Sequence, residues 1–300
     1  MEFNEAKSEL KQLLRRVAPC ELHKLMDWIR NSDELEDLLE DNSRVMLQSI
    51  ADHLRALLPL EATLPTETTA NLKMQQRSRP TVHVDGFLYD DEQVDSLCEA
   101  GAMSRSYCLN CGSYRTAPLD FISHSFSISE LQFLFQNVLP DLTGRRLLDV
   151  GSRLGAVLYG GYVYSSASQL LGLEVSEEFV RLQNSVVEKY RLYDRVQVLH
   201  ADVCTQAVLL QNTDVLVMNN VFEYFLEPSE QIKAWRFIMQ EFRKKGALLV
   251  TVPSLQESLS ALKEALQPGW VEELPVDYDV NLRRDMDLEA LRQIHLYRIM

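Results

Sequence analysis

The stretch Arg145-Arg146-Leu147-Leu148-Asp149-Val150-Gly151-Ser152-Arg153-Leu154-Gly155 constrains this chain more than any other. A short apolar run ends at an acidic residue, and glycines follow it at 151 and 155. An apolar run of this kind, bounded by turn residues, reads as a buried strand. The glycines permit a tight turn that a ligand can approach closely, and Leu154 to Leu158 opens a helix. Strand, glycine turn and helix in that order begin an open α/β sheet. In such a sheet the ligand crevice lies outside the carboxyl ends of the strands.

The residues that follow keep the alternation. Strands are expected at Gln169 to Glu174, Val196 to His200, Asp214 to Met218 and Gly246 to Val252, with last strands at Gly269 to Leu274 and Ile294 to Met300. Ser176 is placed to cap a helix with Glu177 and Glu178 in its first turn. Ser127 with Glu130, and Ser254 with Glu257, have capping-box spacing. The fold class expected is α/β, a doubly wound, mostly parallel seven-stranded sheet. The final two strands have no clear helix between them, which suggests an antiparallel strand at the carboxyl-terminal edge.

Upstream the pattern changes. Leu10, Leu13, Leu14 and Val17 recur at helical spacing, as do Leu22, Leu25, Met26 and Ile29, then Leu47, Ile50, Ala51 and Leu54. These stripes predict an α-helical amino-terminal region over 1–58, segmented at Pro19 and at Asn42-Ser43. They are expected to pack on one another; the sharper reading makes them a surface for a protein partner or for self-association. Residues 59–80 carry Pro59, Pro65, Pro80 and several threonines, and read as a linker. Residues 81–126 read as a cap or lid segment containing Cys108-x-x-Cys111, with Arg105, His124 and Ser125 as candidate contacts. The remaining 127–300 form the ligand-binding domain.

The formal net charge is −14 over 300 residues. That balance repels phosphate backbones and disfavours a nucleic-acid substrate. No apolar run reaches the roughly 18 residues of a membrane span, and the start lacks the basic and apolar regions of a signal peptide. The expected location is cytoplasmic, with the nucleus left open, and no membrane partner is expected. Five scattered cysteines do not make a disulfide framework.

The loop itself excludes two ligand classes. A dinucleotide fold asks for Gly-x-Gly-x-x-Gly, and a phosphate loop for Gly-Lys-Ser/Thr; neither is present. From Asp149 to Ser254 the chain resembles the class I S-adenosylmethionine-dependent methyltransferases. Asp149, Gly151 and Gly155 match that family's acidic residue and two of its three loop glycines. Glu174 matches the acid that ends the second strand and holds the ribose hydroxyls. Asp202, with Val203, matches the position beside the adenine. Asn219 and Asn220 stand where the family places polar residues facing the methyl group and substrate. The resemblance covers roughly residues 127–300 and implies S-adenosylmethionine as cofactor, with a small-molecule or protein methyl acceptor.

The chemistry of the side chains agrees. A carboxylate accepts two hydroxyl hydrogen bonds, so Glu174 suits a diol, though it also suits a helix entry. Asp202 can accept from an exocyclic amine or cap a helix. Asp149 can orient the loop or begin a turn. Arg153 departs from the family, standing where its second glycine belongs. Its guanidinium would either meet the cofactor's carboxylate or block the site, and the second option describes an inactive relative acting as an interaction module. Gly160-Gly161, inside the helix after the loop, calls for close packing or a broken helix.

Methyl transfer from a sulfonium needs positioning above all, and a base only where the acceptor must lose a proton. Glu223, Tyr224 and His124 are the candidates for that role, each with a packing or solvation reading beside it. No metal is expected. A zinc would have to draw on Cys98, Cys108 and Cys111 with His124 or His83.

Overall fold

The computed structural model describes residues 3–31, 33–67, 72, 76, 79–110, 114–279 and 287–300. The chain divides into two compact units, one up to Met46 and one from Leu47 onward. The first carries α1 (Phe3–Arg16), α2 (Pro19–Asn31) and the beginning of α3 (Asp33–Arg55). Asn42 and Ser43 do not break α3, contrary to expectation, because two polar residues of modest propensity cost less than ending a long helix. Pro19 does mark a boundary, standing at the first position of α2, where its missing N–H costs nothing. The stripes of α1 and α2 stay largely open: α2 has no buried residue, and Leu10 and Leu13 are exposed.

In the second unit the end of α3 buries Leu47, Ile50, Ala51 and Leu54. Next come β1 (Thr81–His83), α4 (Asp91–Glu99), the hairpin of β2 (Ser106–Cys108) with β3 (Thr116–Pro118), and β4 (Asp120–Ile122), which pairs in parallel with β1. None of these short strands except β1 is evident from hydrophobic pattern. Helix α5 (Ile128–Phe133) starts at the Ser127–Glu130 capping box and continues as one π-turn, Leu134–Val138.

The sheet follows. Its members are β5 (Arg146–Val150), β6 (Gln169–Glu174), β7 (Val196–His200), β8 (Val215–Asn219), β9 (Leu248–Val252), β10 (Val271–Leu274) and β11 (His295–Ile299). Between them lie α6 (Ala156–Tyr164), α7 (Glu177–Lys189), α8 (Ala207–Gln211), α9 (Pro228–Glu241), α10 (Leu255–Ala261) and α11 (Leu288–Leu291). The strand order is β7-β6-β5-β8-β9-β11-β10. Strands β5 to β9 are parallel, and β11 runs antiparallel to both of its neighbours. The antiparallel strand is therefore inserted one place in from the edge, and β10 forms the edge itself.

Helices on both faces explain why β5 and β8 are apolar almost throughout rather than alternating. Leu148, Val150, Leu216, Trp235, Ile238, Phe242 and Leu249 belong to one core cluster on one side of the sheet. The two glycines of α6 are there for closeness. A methyl on Gly160 would stand 3.1 Å from Leu131, and one on Gly161 2.7 Å from Leu170. Among the described residues no helix is long and apolar enough to cross a membrane.

Candidate active site

The loop after β5 is held by its backbone. The N–H groups of Gly151 and Ser152 both donate to the carbonyl of Leu173, at 2.8 and 3.0 Å. Three of its residues take the left-handed conformation: Gly151 at φ +70°, Arg153 at +43° and Gly155 at +84°. Glycine is required at 151 and 155 for space as well. A Cβ on Gly151 would approach Val221 at 3.1 Å, and one on Gly155 would meet the Tyr159 hydroxyl at 2.6 Å. Gly155 thus shapes the start of α6 and does not line the cavity described next.

A cavity of about 370 Å³ opens beyond the carboxyl ends of β5, β6, β7 and β8. Each strand end contributes a residue singled out in the sequence: Gly151 and Arg153 after β5, Glu174 at the end of β6, Asp202 and Val203 after β7, and Asn219 at the end of β8. His124 lines the same cavity from the segment that precedes α5. Asp149 lies beneath, buried in β5. Burial, with Glu174 beside it, raises its carboxyl well above the usual carboxylate range.

Glu174 is fixed by main-chain donors. Its Oε2 accepts from the Arg153 N–H at 2.9 Å and its Oε1 from the Ser176 N–H at 2.8 Å. Burial raises its pKa, and these donors work against that rise. Ser176 begins α7 but its side chain makes no cap hydrogen bond, so the expected capping role passes to its backbone and to Glu174. Asp202 realises the helix-entry reading, accepting from the Cys204 N–H at 2.8 Å, while also facing the cavity.

Arg153 points neither freely into the cavity nor to solvent. Its Nε donates to Glu67 at 2.7 Å, its Nη1 to Asp85 at 2.7 Å, and its Nη2 to the carbonyl of Ala62 and to Glu67. All four groups are buried, and the guanidinium lies over the Phe179 ring at 5.2 Å. Burial lowers the guanidinium's pKa and the two carboxylates more than restore it. The loop arginine therefore ties residues 62–67 and Asp85 to the site. Asp85 in turn accepts from the Ser125 hydroxyl at 2.7 Å and caps the turn at Phe87 and Leu88.

Other candidates lie elsewhere. Asn220, at φ +49°, donates to the Asn219 side chain at 3.0 Å and is not part of the cavity wall. Glu223 accepts from Ser258 at 2.9 Å in a separate small pocket, with its pKa raised by burial. Tyr224 packs against the His124 ring, centroids 4.8 Å apart, without lining the cavity. Arg105 pairs with Asp91 and Asp95. Cys98 is half-buried on α4, Cys108 is exposed with its thiol on the Asn110 carbonyl, and Cys111 lies outside the described residues. Among the described residues no three His, Cys, Asp or Glu side chains are arranged to hold a metal ion.

Sequence reasoning missed Glu67, Asp85 and the apolar wall of Val221, Phe222, Phe225 and Leu226. Glu67 stands in a proline- and threonine-rich stretch with no periodicity to mark it. The apolar wall was legible in principle, since Val221 to Leu226 directly follow the polar end of β8.

No protein-family model matches the sequence. No curated protein matches it either. Among solved structures, the chain is similar to a methyltransferase from Geobacter sulfurreducens, at 13% identity over 84% of this chain and 97% of that one, TM-score 0.37. It is similar to a SAM-dependent O-methyltransferase from Thermotoga maritima, at 20% identity over 59% and 66%, TM-score 0.37. A third is an RNA methyltransferase from Salinibacter ruber in complex with S-adenosyl-L-homocysteine, at 17% identity over 57% and 88%, TM-score 0.35.

Proposed function

We propose that this protein binds S-adenosylmethionine and transfers its methyl group to a small molecule or a protein side chain. One observation carries the reading: Asp202, Glu174, Gly151 and Asn219 line one cavity in the order of strands β7, β6, β5 and β8. A nucleoside with an amino-acid tail needs such a row of contacts. Glu174 accepts from backbone N–H groups and lines the cavity, and a carboxylate has acceptor capacity for the hydroxyls of a diol. Asp202 can accept from the base's exocyclic amine, with Val203 against the ring. Gly151, in a left-handed turn, lines the cavity with backbone alone. The cavity, at about 370 Å³, lies in the range of small-molecule sites.

When bound, the cofactor supplies an electrophilic methyl on sulfur. The protein's part is to align it and to keep water away. Glu174 and the loop fix one end of the donor, and the β8 end holds the acceptor in line with it. The alternative, an inactive relative acting as an interaction module, has two grounds: Arg153 in the loop, and Asn219-Asn220 in place of a recognisable acceptor signature after β8. The ion pairs with Glu67 and Asp85 draw the Arg153 side chain aside, which supports a usable cavity.

Ultraviolet cross-linking of the purified chain to methyl-labelled S-adenosylmethionine tests this. Label is expected on the wild type, displaced by S-adenosylhomocysteine. Folded protein that takes up no label contradicts the proposal.

A further inference from the structure

Residues 61–67 are tied to the site at Glu61, Ala62 and Glu67. The Glu61 carbonyl accepts from His83 Nδ1 at 2.6 Å. The Ala62 carbonyl accepts from Arg153 Nη2. Glu67 closes the single helical turn Pro65–Glu67 and accepts from Arg153 Nε at 2.7 Å and Nη2 at 3.2 Å. The same turn steadies the carboxylate, with the Leu64 N–H donating to Oε2 at 3.0 Å. Ala62 is fully buried at φ +49°, a left-handed position uncommon for a residue other than glycine. A segment fixed in this way brings Glu67 to the cavity wall, which it lines together with Gly151 and Arg153. Asp85 already pairs with the guanidinium at 2.7 Å, so a second carboxylate at the wall is more than the charge of Arg153 requires.

Strand order sets which part of the donor arrives there. With its base beside Asp202 at β7 and its diol on Glu174 at β6, the donor's amino-acid tail leaves across the loop after β5, the next strand. Gly151 and Arg153 belong to that loop, and Glu67 is bonded to Arg153. The tail ends in an α-ammonium and an α-carboxylate. An ammonium offers only donors and a carboxylate only acceptors, so Glu67 attracts the first and repels the second. Arg153 does not reverse this, because its charge is shared between Glu67 and Asp85. Glu67 and Arg153 are both buried, and charges there are screened less than at the surface.

Resting on the proposed function, we infer that Glu67 binds the α-ammonium of the methyl donor. A carboxylate from a segment far upstream of the sheet thus completes a cofactor site whose other contacts come from the strand ends. Arg153 is the positioning residue, holding Glu67 at the wall from within the loop. A ligand without the ammonium loses this contact and keeps those of the nucleoside.

Isothermal titration of the full chain with three ligands separates this contact from the rest. The ligands are S-adenosylhomocysteine, its analogue lacking only the α-amino group, and methylthioadenosine, which lacks the whole amino-acid end. The wild type should bind the first at least about tenfold more tightly than the second, the scale of one hydrogen bond to a charged group. Glu67→Gln should weaken S-adenosylhomocysteine by about the same factor and leave the other two ligands unchanged. A purely structural role for Glu67 would weaken all three alike, and that result overturns the inference, as does equal wild-type affinity for the first two. Retained methylthioadenosine binding shows that the variant is folded. Breaking a buried ion pair can unfold a chain, so hydrogen exchange of the wild type supplies a check without any variant. S-adenosylhomocysteine should slow amide exchange over residues 61–67 more than the deaminated analogue does; equal protection contradicts the role of Glu67. In each of these failures the nucleoside still binds and the proposed function stands. If neither S-adenosylhomocysteine nor methylthioadenosine binds the folded wild type, both readings fall together.

Discussion

Arg153 holds a left-handed backbone position that costs an ordinary residue about 1–2 kcal/mol. Its side chain bridges to Glu67, 86 positions earlier, and to Asp85, 68 positions earlier. Restoring glycine at 153 relieves the strain but leaves two buried carboxylates unpaired, a loss of about 3–5 kcal/mol. Arg153→Gly should therefore destabilise the protein by roughly 1–4 kcal/mol net in urea unfolding. Adding Glu67→Gln and Asp85→Asn should recover part of the loss; a stabilised single variant would refute the ion-pair account. The arginine itself was legible in the sequence as a break in a glycine pattern. Its partners were not, because an ion pair between distant segments leaves no periodic trace in either one.

Asp149 makes a second residue-scale case. Its folded pKa is raised, so between the ordinary carboxylate pKa and the folded value the native state binds more protons than the unfolded chain. Stability from this group is complete below the ordinary value and falls as pH rises, by about 1.4 kcal/mol per pH unit within that window. Asp149→Asn should match the wild type near pH 4 and become the more stable protein as pH approaches 7. A stability difference that does not change with pH would contradict the burial account.

Among the elements, α6 shows how a helix carries information that its propensities conceal. Gly160 and Gly161 reduce helix propensity by about 1 kcal/mol each relative to alanine, yet both are buried within α6. Gly161 faces Leu170 of β6 and Phe135 of the π-turn, 2.7 and 3.1 Å from where a Cβ would stand. Gly161→Ala should gain the propensity and lose more to overpacking, typically 1–3 kcal/mol. Thermal unfolding should place its Tm below that of the wild type, and a higher Tm would mean that the contact is not tight. Long periodic elements were legible: β5 to β9, the start of α7 and both capping boxes stand within a residue or two of where their patterns put them. The short strands β2 to β4 were not, since three residues of half-buried strand give no alternation to read.

On the scale of the molecule, the sheet determines where chemistry can occur. Parallel strands β5 to β8 bring their carboxyl ends to one edge, and residues 50 to 70 positions apart meet there. The candidate cofactor residues were legible because each follows an apolar strand at that edge. The apolar wall of Val221, Phe222, Phe225 and Leu226 was not distinct, because apolar residues after a strand read as packing. The central claim, a donor held by Glu174 at the end of β6, is tested most directly by isothermal titration of the full chain with S-adenosylmethionine. The wild type should bind one equivalent. Glu174→Ala, with an unchanged circular dichroism spectrum, should bind at least about tenfold more weakly, the loss of hydrogen bonds to a charged acceptor. No binding heat from the folded wild type, or equal affinity in the two proteins, would contradict the account.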